Sequence, residues 1–257
     1  MSLMKRRAAA LTAALTLGLS AASGLAQTPP AGAPPPAEGF SYEFRVYLGG
    51  IPLGTLTTQG RGGGGAYAAQ GEFRMASLLA IVIDSDASAE ASGRIGTEGR
   101  VIPESFFYRL RDRKESSELI LSYDPQGRPL SIRRIPDVPK RDREPDPSEV
   151  PEAIDPATAI YLLGAPRTDA CAFDHQVFDG RKLHGVRLSG PARPEPEGSV
   201  VCSGIYERLK GFRDKDMTPE RARHLFQARL TPLPDGGWRP ERIWADTTWG
   251  QASVVRR

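Results

Sequence analysis

Residues 170–212 hold both cysteines of the chain, Cys171 and Cys202, inside its densest run of strand and turn signals. The run reads CAFDHQVFDGRKLHGVRLSG, then a Pro-rich tip at residues 190–198, then SVVCSGIYERLKGF. Two apolar-periodic segments flanking such a tip predict neighbouring strands joined by a long hairpin loop, with a cysteine near each outer end placed to tie them together. In an oxidising compartment an even cysteine count favours a disulfide, and closing a loop of roughly 30 residues stabilises a fold by about 3–4 kcal/mol in the chain-entropy account. A metal pair or a redox dithiol is the alternative, but Cys-x-x-Cys spacing is absent.

The N-terminus sets the compartment. Lys5, Arg6 and Arg7 precede an uncharged Ala/Leu-rich stretch over residues 8–22, and Ser23-Gly24-Leu25-Ala26 offers small residues at the −3 and −1 positions before Gln27. This pattern predicts a secretory signal peptide over residues 1–26, cleaved after Ala26, and a periplasmic mature protein. The stretch falls short of the roughly 20 strongly apolar residues of a membrane span, so no stable transmembrane segment is expected. No cysteine follows the cleavage site, which argues against a lipid-modified N-terminus. Removing the leader takes three of the 34 Lys and Arg and leaves 31 against 31 Asp and Glu. The near-neutral mature chain gives no electrostatic reason to expect a nucleic-acid partner.

Residues 27–39 form a Pro/Ala/Gly tether that cannot build a core. Order begins at residues 40–48, where Phe40, Tyr42, Phe44, Val46 and Leu48 alternate with mostly polar neighbours, the period of a half-buried antiparallel strand. Gly49-Gly50 permits a tight turn into residues 51–58, and the glycines of residues 60–65 are expected to supply the next reversal. That glycine run formally matches G-x-G-x-x-G, but it leads into a strand pattern with no helix to receive a pyrophosphate, so no dinucleotide or other cofactor is expected.

Residues 75–83 are the longest uninterrupted apolar run outside the leader, too short to span a bilayer and expected to be a buried connection or a short helix. Over residues 84–95, Ala87, Ala89, Ala91, Gly93 and Ile95 share one face, and small residues there imply close packing on the sheet or a hollow. Asp84, Asp86 and Glu90 lack the glycine and distal glutamate of a calcium loop, so no metal is expected. Further strands are expected over residues 105–110, 118–123 and 130–135. Residues 136–151 read as an exposed, charged, Pro-rich loop between two halves of one domain spanning residues 40–257.

The best helix signal follows that loop. Asp155 can cap, Pro156 suits the first helical position, residues 157–163 form the body and Gly164 can end it. A second short helix is expected from Pro219 to Arg223. The chain closes with strand patterns over residues 226–233 and 238–255 around the turn at residues 234–237.

Several motifs together resemble a family. Val177-Phe178-Asp179-Gly180-Arg181-Lys182-Leu183, Cys202 within a strand, Lys210-Gly211-Phe212, and the terminal Trp238-Arg239-Pro240-Glu241-Arg242-Ile243 to Thr248-Trp249-Gly250 resemble the exported proteins of domain of unknown function family 3108. The opening strand and its turn from Gly49 to Gly54 extend the resemblance over nearly all of the mature chain. That family is similar to periplasmic lipoprotein carriers and their outer-membrane acceptors. The resemblance implies a mainly β fold, a curved antiparallel sheet forming a half-open barrel, with two or three short helices on its concave side. It carries no catalytic residues over to this chain.

Chemistry-bearing motifs are sparse. There is no G-x-S-x-G and no H-E-x-x-H, and the three histidines, His175, His184 and His224, have no spacing that predicts a shared site. Asp179 and Arg181 flank Gly180 as a turn rather than a catalytic pair, and Trp238, Trp244 and Trp249 read as core or cross-strand residues rather than a stacking surface. The expectation is therefore a non-enzymatic periplasmic protein whose half-barrel holds an apolar ligand such as a lipid or acyl chain, with Phe44, Val46, Leu78 and Leu79 as its contacts. The alternative is an envelope scaffold with a self-filled core, whose sheet edge and residues 136–151 meet a protein partner.

Overall fold

A computed structural model describes residues 38–76, 85–112, 116–234 and 237–257. Its central strand is β1 (Glu38–Leu48), which pairs antiparallel with β2 (Ile51–Gly63) on one side and with β13 (Gly250–Arg256) on the other. From β2 the chain meanders through β3 (Ala66–Met75), β4 (Ser85–Ile95), β5 (Val101–Asp112), β6 (Ser116–Tyr123) and β7 (Pro129–Ile135). A second meander runs from β8 (Phe173–Phe178) through β9 (Leu183–Pro194), β10 (Val200–Lys210), β11 (Arg223–Pro232) and β12 (Trp238–Thr247) to β13. The result is one 13-stranded sheet with β7 and β8 at its two edges, curved, antiparallel and unclosed. The mainly β half-open barrel expected from the resemblance is the fold observed.

Curvature brings the edges toward each other. Phe178 and Leu183, from the β8 end, share a buried cluster with Phe106, Leu119 and Leu121 of β5 and β6. Phe106, Phe178 and Leu121 are at most 1% exposed, and burial of such side chains contributes roughly 1.5–3 kcal/mol each. Across the seam Arg134 Nη2 of β7 donates to Gly180 O and to Glu144 Oε2, both at 3.0 Å.

The helix α1 (Pro156–Gly164) lies against the inner face of β2, β3 and β4. Its start is capped as the sequence predicts, with Thr158 N donating to Asp155 Oδ1 at 2.8 Å and Pro156 in the first turn. Ala157 joins Ala69 and Ala91 in one cluster, so the small residues of β3 and β4 let the helix approach closely. A Cβ at Gly71 would stand 2.8 Å from Ile160 Cδ1. The second helix, α2 (Pro219–Ala222), is a single turn before β11.

Three local expectations are corrected. Gly60 to Gly63 lie within β2, and only Gly64 and Gly65 turn, because Gly60 and Gly62 face inward where the Phe40 ring and the Tyr161 hydroxyl occupy the space of a Cβ. The hairpin tip at residues 190–198 is mostly strand, since β9 runs through Pro194 and a 3₁₀ turn at Pro196–Gly198 makes the reversal. The loop at residues 136–151 is only partly exposed: Glu144, Pro145 and Val150 are buried, because Glu144 pairs with Arg134 and Val150 packs in the core.

Candidate functional site

Asp155 does more than cap α1. It is fully buried, and its Oδ2 accepts from Thr158 Oγ1 at 2.6 Å and from the Tyr123 hydroxyl at 3.1 Å. Because the Thr158 hydroxyl proton is spent on Asp155, the Tyr67 hydroxyl is the donor in its 2.7 Å contact with Thr158 Oγ1. Burial raises the Asp155 carboxyl to about 6, against the lowering effect of the bonds from Thr158 and Tyr123. Burial likewise raises both tyrosine hydroxyls well above their ordinary value. Both stay protonated donors, and the network anchors α1 to β3 and β6.

Beside this anchor, α1 and the second half of the sheet enclose an apolar cavity of about 370 Å³. Phe40, Tyr42 and Phe44 of β1 form one wall, Ile160 and Leu163 of α1 another, and Phe226, Ile243 and Val254 of β11 to β13 the third. The Phe40 ring sits where a Cβ on either Gly60 or Gly164 would be, which wedges it between sheet and helix at one end of the cavity. A cavity of this size and lining falls in the range of small-molecule sites, about 300–1,000 Å³ with mostly apolar walls. A larger depression of about 700 Å³ mixes polar residues, Gln59, Arg61, Gln70 and Glu90 among them, with Phe40, Ala69, Ala91 and Phe107.

Tyr206 and Arg167 are among the polar residues that border the apolar cavity, with Tyr42 and Thr58. Tyr206 lines it, and its hydroxyl meets His184 Nδ1 at 2.7 Å, while His184 Nε2 lies 3.4 Å from Asp179 Oδ2. Burial pushes the Asp179 carboxyl up, but hydrogen bonds from His184 and the amides of Lys182 and Arg181 outweigh it and hold the group below its usual value. This chain fixes the Tyr206 ring as part of the wall. Arg167 also lines the cavity, its Nη1 donating to Leu163 O at 2.8 Å and Leu162 O at 3.3 Å at the C-terminal end of α1.

Of the residues expected to touch a ligand, Phe44 is buried and lines the cavity, whereas Val46 lies farther along the same strand face, outside the lining. Leu78 and Leu79 lie outside the described residues. Cys171 and Cys202 form the disulfide, with Cα atoms 5.5 Å apart, joining the lead-in of β8 to β10 across β9. The Asp179-Gly180 turn brings Asp179 to His184, while His175 instead packs its ring against Phe173. Trp249 corrects the expectation for the tryptophans: it is 79% exposed, because it sits in the tip beyond the last β12–β13 pair and has no strand opposite. Arg167, Ile160 and Tyr206 escape the sequence reading. For Arg167 a signal exists, since a basic residue just past a helix end answers its unpaired carbonyls.

No family model matches the sequence, and no curated protein matches it. A solved structure, the β-barrel-like protein of domain of unknown function DUF1849 from Brucella abortus, is similar. The two chains are 11% identical, with a TM-score of 0.42, over 86% of this chain and 95% of that one. Among the described residues no helix is long and apolar enough to cross a membrane.

Proposed function

We propose that this is an exported, non-catalytic protein that binds or carries an apolar ligand, a lipid or acyl chain, between α1 and the sheet. The single observation carrying this reading is the cavity of about 370 Å³ with Phe40, Phe44, Leu163, Phe226 and Ile243 in its walls. Walls of this kind match the mostly apolar lining of small-molecule sites, in which an apolar occupant gains packing contacts on several sides. The leader-like residues 1–26 and the Cys171–Cys202 disulfide support a periplasmic location.

Native mass spectrometry and organic extraction of protein purified from the periplasm test the reading. A co-purifying lipid, displaced by a fluorescent fatty acid, is the expected result. A clean apo mass with no uptake of the fluorescent fatty acid sinks it.

A second reading, an envelope interaction protein, is favoured by Ile51 and Trp249. They are 59% and 79% exposed on neighbouring hairpin tips, which the Gly49 N to Gln251 O bond of 2.9 Å holds together. Crosslinking in cells separates the two, since a scaffold yields one persistent protein partner and a carrier does not.

A further inference from the structure

On the face of the sheet turned away from α1 and the cavity, six arginines fall in one cross-strand row. The strand registers align Arg193 of β9, Arg229 of β11, Arg242 of β12, Arg45 of β1, Arg74 of β3 and Arg111 of β5. Phe44, Ala228 and Ile243, next to three of them in sequence, line the cavity, so strand alternation turns these arginines outward. Neighbouring strands stand about 4.8 Å apart, so apart from the adjacent Arg229 and Arg242 the cations recur roughly every 10 Å around the curve.

Half of the row has no counter-ion. Arg74 pairs with Glu72 at 2.8 Å, and Arg229 and Arg193 share Glu195 at 2.7 and 3.8 Å. Asp86 interrupts the row between Arg74 and Arg111. Among the described residues, Arg45, Arg111 and Arg242 form no ion pair, and Arg45 and Arg111 are exposed. Arg45 and Arg74 line a depression of about 530 Å³ with Thr55 and Thr57, where Glu43 is taken by Arg257.

A parallel row, two residues along each strand and so roughly 7 Å away, carries no charge. It holds Tyr47, Ser253, Trp244, Gln227, Ser203 and Ser189. The Arg242 guanidinium lies 5.0 Å from the centre of the Trp244 ring. Aromatic rings, hydroxyls and an amide suit sugar rings and their hydroxyls, while arginine forks take carboxylates. Because the rows follow the curve of the sheet, a flexible chain can lie along them where a flat bilayer would touch only a part.

We propose that this outer face binds a linear acidic polysaccharide, with carboxylates along the arginine row and sugar rings against Tyr47 and Trp244. The surface is separate from the apolar cavity, so this assignment stands or falls independently of the carrier reading.

Fluorescence anisotropy of the mature protein with labelled polygalacturonate, its fully methyl-esterified neutral form and polyphosphate provides the test. Polygalacturonate is expected to bind about tenfold or more tightly than the neutral ester. The triple variant Arg45→Gln, Arg111→Gln, Arg242→Gln should lose about tenfold or more. A control with the same change of charge off the row, Arg100→Gln, Arg128→Gln, Arg143→Gln, should bind as wild type does. Trp244→Ala and Tyr47→Ala should each weaken polygalacturonate and leave polyphosphate unchanged. No binding of polygalacturonate, or an equal loss in the control variant, overturns the assignment. Loss of polyphosphate and polygalacturonate alike in the aromatic variants, or of neither, overturns the polysaccharide as partner. Should the triple variant fail to fold, Arg45→Gln with Arg111→Gln against Arg100→Gln with Arg128→Gln decides.

Discussion

Tyr67 on β3 and Thr158 on α1, 91 residues apart, share a 2.7 Å hydrogen bond between two buried hydroxyls. The bond extends to Asp155 and Tyr123, so one carboxylate joins the helix cap, two strands and the core cluster that holds Tyr67 and Tyr161. Since α1 is a wall of the cavity, this network also sets where that wall stands.

Asp155 titrates inside the folded protein at about 6, raised by burial from 3.8. The native state therefore holds a proton that the unfolded chain has released across roughly pH 4–6, and the contribution of this group falls as pH rises through that window. The stability difference between wild type and Asp155→Asn is expected to shift against wild type by about 2 kcal/mol from pH 4 to pH 7. Urea unfolding of both proteins across that range checks it; a pH-independent difference would show that Asp155 stays at its unfolded value.

The Cys171–Cys202 disulfide closes a loop with a sequence separation of 31. Replacing both cysteines by alanine is expected to cost about 3–4 kcal/mol. For a domain of this size the midpoint should fall by about 10 °C, read by thermal melts of the variant and of wild type with and without reductant.

Arg134 and Glu144 form an ion pair whose side chains are only 11% and 6% exposed, and the same guanidinium nitrogen binds Gly180 O across the open seam. Arg134→Met leaves a buried carboxylate uncompensated, with an expected loss of about 3–5 kcal/mol. Replacing both, Arg134→Met with Glu144→Leu, should recover most of that loss. A double mutant as unstable as the single one would place the whole effect in the Gly180 contact.

Gly60 is occupied by its neighbour rather than its own side chain. A Cβ there overlaps the Phe40 ring, and the ring cannot retreat because Gly164 of α1 receives its other side. Gly60→Ala should cost about 1–3 kcal/mol through overpacking. It should also weaken uptake of a fluorescent fatty acid, because the displaced ring moves into the cavity. Unchanged stability and uptake would show that the wedge has slack.

Local residues alone dictate much of this architecture. The alternation of Phe40, Tyr42 and Phe44 gives β1 its inward face, the Gly49-Gly50 pair takes positive φ values of 55° and 84° in the turn that follows, and Asp155-Pro156 starts α1. Each of these is decided by sterics and hydrogen bonds within a few residues, which is why each can be read from a short window. Tertiary structure alone decides that Gly60 and Gly62 belong to a strand, that Asp155 meets Tyr123 directly and Tyr67 through Thr158, and that Arg167 borders an apolar cavity while its Nη1 holds the last carbonyls of α1. Those relationships depend on which side chains a curved sheet brings face to face across long stretches of chain. Neither the identity of one residue nor the period of its neighbours carries that information, because the partner that fixes a residue's burial and charge lies on another strand.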